Sequence, residues 1–151
     1  MNDRALTALE ARGLEGRSLA YGRVHSVMEA AAAGGVEVAD IVKTLVIRRA
    51  DQDYLLVLVP GDRSLSWKKL RGVLGINRIS LPDADEARAV TGYERGTITP
   101  LGLDLPVIAD ERIMGRQILL GSGMHGRAIV VVAEQVVAAY QATVADVTDP
   151  A

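Results

Sequence analysis

Lys43 is the residue whose type and position first suggest chemistry. The chain carries 14 arginines but three lysines, and Lys68 and Lys69 sit side by side on an expected surface helix. Lys43 lies instead within Ile41-Val42-Lys43-Thr44-Leu45-Val46. In strand geometry it shares a face with Ile41, Leu45 and Ile47. A lysine so placed either snorkels to the sheet edge or lines a cavity with work to do, and position alone leaves both open.

A second candidate is Gly121-Ser122-Gly123-Met124-His125-Gly126, which has the spacing G-x-G-x-x-G after an expected strand. A dinucleotide fingerprint needs its third glycine at the start of a helix. Here the β-branched run Ala128–Val132 follows, which prefers a strand, so we read a glycine-rich strand connection that brings backbone amides close to a ligand. Of the two histidines, His25 precedes an expected helix cap and His125 lies in the glycine turn, where it could line a site. Neither has the neighbours of a metal centre or a catalytic triad, and Ser122 lacks a recognisable base partner. The acids Asp83, Asp85 and Glu86 suit a helix start. Asp110, after a strand, is open to a site role or to turn capping.

These residues need elements to hold them. Asp3 to Arg12 reads as a helix with Asp3 as its cap and Gly13 as its stop, and Ser18 to Tyr21 as a short strand. Ser26-Val27-Met28-Glu29 has capping-box spacing before an alanine-rich helix that ends at Gly34-Gly35. Ile41–Ile47 and Tyr54–Val59 read as a hairpin. A helix is expected over Ser66–Leu74, a strand over Arg78–Leu81, and a helix opening at Asp83. Thr91 to Gly102 is a loop rich in Gly, Thr and Pro, of the kind that carries function. Strands at 106–109, 117–120 and 127–132, a helix over 134–141 and a last strand near Val144 complete the chain. Mixed elements without regular alternation imply an α+β fold with a curled mixed sheet or barrel flanked by helices.

Composition bounds the rest. The 151 residues fit a single domain, 1–151, with 49% hydrophobic content for a core. With no cysteine, thiolate metal sites and thiol nucleophiles are excluded. A net charge of −2 argues against a general nucleic-acid coat, leaving Arg48-Arg49 and Arg63, Lys68, Lys69 and Arg71 as local clusters that either face solvent or touch RNA. The apolar run at 128–133 is too short to span a membrane. We expect a soluble, cytoplasmic protein with no membrane or DNA partner, no metal and no cofactor.

Taken in order, Ile41-Val42-Lys43-Thr44-Leu45, Val59-Pro60-Gly61-Asp62, Thr91-Gly92-Tyr93, Gly96-Thr97-Ile98-Thr99-Pro100-Leu101-Gly102, Asp110, and Gly121-Ser122-Gly123 with Gly126 resemble the YbaK/ProX family of aminoacyl-tRNA deacylases. That family is related to the editing insertion domain of bacterial prolyl-tRNA synthetases. The resemblance implies a compact mixed barrel flanked by helices and hydrolysis of the ester that joins a wrong amino acid to tRNA. It implies Lys43 as the catalytic lysine and Gly96, Thr97, Ile98, Thr99 and Pro100 as the substrate-binding loop. Gly121, Ser122, Gly123, His125 and Asp110 are expected beside them. It further implies that the terminal ribose hydroxyl of the substrate helps activate the attacking water. The expected partner is the aminoacyl-tRNA acceptor end; the chain either accepts many tRNAs through that end or borrows specificity from an aminoacyl-tRNA synthetase. Two departures border the site: Arg95 stands where many relatives carry a second glycine, and Ser122 where alanine is frequent. The expected amino acid is small, such as alanine, serine or cysteine. The competing expectation is a module of the same fold that binds aminoacyl or nucleotide ligands without hydrolysis.

Overall fold

A computed structural model describes residues 4–151; the expected Asp3 cap lies outside the described residues. The centre of the molecule is the hairpin of β2 (Val42–Ala50) and β3 (Asp53–Pro60), with Lys43 opposite Val59. Residues 55–59 of β3 are wholly buried because both faces of this strand meet core. Leu56 and Leu58 enter one apolar cluster, and Leu55, Val57 and Val59 another. A strand covered on both sides reads as a continuous apolar run, not an alternating one.

β5 (Val107–Asp110) adds parallel to β3, and β8 (Thr143–Ala145) adds parallel to β5, giving the order β2-β3-β5-β8. A second, antiparallel sheet has the order β1-β7-β6, from β1 (Gly16–Ala20), β6 (Gln117–Gly121) and β7 (Arg127–Val132). One parallel bridge, Ile41 to Leu119, ties the two sheets together at the start of β2. The mixed sheet therefore curls but does not close into a barrel: beyond that bridge, β2 and β6 part. A third, two-stranded piece pairs β4 (Arg63–Leu65) with β9 (Thr148–Pro150).

Helices cover the outside. α1 (Arg4–Ala11) buries Ala5 and Leu9, one turn apart. α2 (Val27–Gly34) starts at Ser26, whose hydroxyl accepts from Glu29 N at 3.1 Å. The Glu29 carboxylate reaches back one residue further than a capping box requires, to His25 N. α3 (Trp67–Leu74) is capped by Ser66 and α4 (Ala84–Thr91) by Asp83, each accepting from the third amide of its helix. α5 (Ala133–Tyr140) follows β7 directly.

Two details differ from the sequence reading. The strand expected over Arg78–Leu81 is reduced to one bridge, Ser80 to Arg48, since Pro82 offers no amide to extend it. β4 and β9 carry no apolar alternation; they form because Arg63, Thr148 and Lys69 lock them side by side, through Arg63 Nε to Thr148 Oγ1 at 2.7 Å and Lys69 Nζ to Thr148 O at 2.7 Å. No helix among the described residues is long and apolar enough to cross a membrane.

Candidate functional site

The gap where β2 and β6 part opens into a cavity of about 1480 Å³. Its walls come from β2 (Val42 to Val46), the segment from Tyr21 to Val27, the start of α4, the loop residues Arg95, Gly96 and Ile98, and the β6–β7 turn through Gly121, His125 and Arg127. Five expected site residues thus share one wall system: Lys43, Gly96, Ile98, Gly121 and His125.

Lys43 is half-buried. Leu45 and Ile47, two and four residues on, turn into the apolar cluster beneath α3, while Nζ reaches the carbonyl of Arg63 at 2.9 Å. That bond fixes one of its three N–H donors and leaves two. Burial lowers the lysine pKa from its ordinary value, opposed by the nearby Asp62 carboxylate. On the next residue, Thr44, Oγ1 is buried at the cavity wall and has no hydrogen-bond partner among the described residues. Tyr21 also lines the cavity; burial raises its phenol pKa, so it stays a hydrogen-bond donor at neutral pH.

The two glycine-bearing motifs, distant in sequence, form one unit. A Cβ on Gly121 would overlap the carbonyl oxygens of Ile98 and Thr97, so only glycine lets the strand lie flat against the loop. Gly123 N donates to Thr97 O at 2.9 Å across the same junction. Gly96 adopts φ 86°, a left-handed turn that places it beside the His125 ring. His125 Nε2 in turn lies 3.1 Å from Glu94 Oε2.

The remaining loop residues look inward. Thr97 Oγ1 donates to Glu94 O at 2.7 Å, and Thr99 Oγ1 accepts from Leu101 N at 3.4 Å. Thr97, Thr99 and Pro100 are buried behind the wall and do not line the cavity. Ser122 Oγ is absorbed by its own turn, 2.9 Å from Arg127 O and 3.0 Å from Met124 O. Gly123 packs on the Tyr93 ring. Tyr93, from the Thr-Gly-Tyr segment, is the prop beneath this junction, its hydroxyl bonded to Leu101 O. Arg4 of α1 fastens both ends of the segment: Nη1 donates to Thr91 O and Nη2 to Gly102 O, each at 2.9 Å, with the guanidinium 4.7 Å from the Tyr93 ring centre.

Asp110 lies away from the cavity. It is fully buried and accepts from Val147 N at 3.1 Å and Thr148 Oγ1 at 2.9 Å, with Arg112 Nη1 at 3.2 Å. Arg112 continues to Asp146 at 2.8 Å, which meets Lys69 at 3.2 Å. This chain of charges joins β5 to the C-terminal strands and to α3.

Sequence reading overlooked several cavity residues: Thr44, Tyr21, Arg23 and Arg127. The first hides as a β-branched strand residue, and the other three sit where only the fold gathers them. The basic clusters singled out from sequence are largely spent on structure. Arg48 pairs with Asp51, Arg49 with Asp53 at 2.8 Å, and Lys69 with Asp146 and Asp149.

A family model described as the aminoacyl-tRNA editing domain matches residues 22–139. Proline–tRNA ligase of Desulfovibrio desulfuricans is 40% identical over 91 residues, which are 60% of this chain and 16% of that ligase. The chain thus spans about a sixth of the length of this relative. A crystal structure of a candidate trans-editing enzyme for prolyl tRNA synthetase superposes with a TM-score of 0.86 at 28% identity, covering 99% of both chains. The crystal structure of a hypothetical protein gives 0.88 at 29% identity, over 97% of this chain and 99% of that one.

Proposed function

This chain belongs to the aminoacyl-tRNA editing domain family, and from that premise we propose that it hydrolyses the ester between a mismatched amino acid and the 3′ end of tRNA. The observation that carries the reading is the single cavity shared by Lys43 and the Gly96–Ile98 and Gly121–His125 wall. Its volume exceeds the roughly 300–1,000 Å³ of ordinary small-ligand sites, which suits a terminal nucleoside together with its acyl group.

An aminoacyl ester is already activated, because its α-ammonium withdraws electrons from the carbonyl. Hydrolysis then needs orientation and dipoles aimed at the developing oxyanion more than it needs a protein nucleophile. In this reading Lys43, held by Arg63 O, uses its remaining donors to neutralise phosphate charge near the terminal adenosine and to hold the ester. The Gly96–Pro100 loop sets the amino acid and the water, with Gly96 and Ile98 at the surface and Thr97, Thr99 and Pro100 as its stiff backing. Gly121 and His125 form the facing wall, with Ser122 and Gly123 shaping the turn behind it. Water adds to the carbonyl carbon, and the vicinal ribose hydroxyl of the substrate helps to remove its proton. The C–O ester bond breaks, and the ribose oxygen leaves with a proton. Asp110 acts at a distance, by fastening the strands beneath β4. No step requires a metal or a cofactor.

We assign the acyl group to the small class, alanine, serine or cysteine. We take the enzyme to act in trans on acceptor ends, with a prolyl-tRNA synthetase or similar partner supplying the tRNA. Deacylation of a panel of mischarged tRNAs tests this. Wild type should release at least one small amino acid, and Lys43→Ala should lose about 100-fold or more in rate, the scale of a lost transition-state donor, with an unchanged melting temperature. Tight binding without turnover on any member would leave a non-catalytic aminoacyl-binding module instead.

A further inference from the structure

The chain is acidic overall, at −2, yet its cavity is not. Arg23, Lys43, Arg95 and Arg127 line it against one acid, Asp83. That carboxylate is occupied at the N-terminus of α4, accepting from Glu86 N at 2.8 Å. Arg23 and Arg95 are exposed at the solvent side of the cavity, and among the described residues neither guanidinium is paired with a carboxylate. Among the described residues the Arg127 guanidinium donates to a neutral hydroxyl, Ser18 Oγ, at 3.2 Å and meets no carboxylate. Of the cations outside the cavity, Arg48, Arg49, Lys69, Arg112 and Arg116 have acidic partners, and those without one do not share a single opening as these do. Like charges gathered at one opening repel each other and concentrate a positive potential there. An arginine fork matches a phosphate with two parallel donors.

We propose that Arg23, Arg95 and Arg127 form a phosphate-reading rim that holds the backbone of the single-stranded RNA 3′ end entering the cavity. This rests on the hydrolytic reading for the identity of the ligand and extends it: the rim binds the phosphodiesters that precede the terminal nucleoside, while Lys43 lies deeper. The contacts are to backbone, so the rim is indifferent to base sequence. It also accounts for how an acidic protein holds RNA: the attraction is concentrated at the cavity mouth, where these arginines and Lys43 gather against one acid.

The test is fluorescence anisotropy with a labelled, unacylated single-stranded RNA ending in CCA, titrated over a range of salt. Arg23→Ala/Arg95→Ala should weaken binding at low salt at least tenfold. It should also flatten the slope of log affinity against log salt by about 1.4, since each single-strand phosphate contact contributes about 0.7. Arg48→Ala/Arg49→Ala, which removes paired cations, should leave the slope as in wild type. An unchanged slope in the rim variant, or an equal loss in the control, overturns the proposal. Because the probe carries no aminoacyl ester, the outcome is independent of turnover. RNA binding with the expected slope by a protein that deacylates nothing would sustain the rim and refute hydrolysis. Deacylation by a protein whose rim variant keeps the wild-type slope would do the reverse.

Discussion

A buried hydroxyl left without a partner costs about 1–3 kcal/mol, and Thr44 carries such a hydroxyl beside Lys43. If the fold alone set this residue, valine would serve better. Thr44→Val should therefore match or exceed wild type in stability, by about 1 kcal/mol in urea unfolding, while KM for mischarged tRNA rises several-fold. A loss of stability with KM unchanged would count against a role for this hydroxyl at the site. Lys43 was legible in the sequence because a lone lysine on an apolar strand is unusual. Thr44 was not, since threonine in a strand is also ordinary β-branched filling, and only the parting of β2 and β6 leaves its oxygen unmet. Asp110 illustrates the opposite limit: an acid after a strand looks the same in sequence whether it faces a ligand or, as here, a buried amide and hydroxyl.

Among the elements, the junction of the Thr97–Ile98 loop with β6 makes the sharpest demand. Gly121→Ala should push a methyl group into two carbonyl oxygens, costing about 1–3 kcal/mol as overpacking does. Because the displaced backbone is the cavity wall, kcat for deacylation should fall in the same variant. Chemical denaturation beside single-turnover kinetics would check both, and a fully active, fully stable variant would mean that the two backbones are not in contact. Most elements were readable from β-branched runs, helix caps and terminal glycines. The exceptions have local causes. The Arg78–Leu81 stretch is stopped by Pro82 after one bridge, and β4 and β9 depend on side-chain partners 85 residues apart, Arg63 and Thr148, which no local pattern announces.

At the scale of the whole molecule, the order β2-β3-β5-β8 and the single bridge that turns one sheet toward the other were not readable, because register across long connections depends on packing and not on periodicity. The charge chain from Asp110 through Arg112 to Asp146 and Lys69 closes this architecture. Arg112 holds the Asp146 carboxyl well below the usual carboxylate range, with Lys69 assisting. A depressed carboxylate pKa means that the unfolded chain binds the proton first as pH falls. The stabilisation is thus present above the ordinary carboxylate value and lost on acidification through the folded one. Asp146→Asn should lower the melting temperature at pH 7, and its gap to wild type should narrow steadily as pH falls below the ordinary carboxylate range; a gap that stays constant on acidification would exclude this linkage. The Arg4 staple carries a further consequence, one of timing. Its two bonds span 87 and 98 residues, and contacts that close such long stretches of chain form late. A growing polypeptide that has not yet reached Gly102 already possesses the strand bearing Lys43, but nothing to hold the opposite wall against it. The pocket is thus among the last features to be completed as the chain matures.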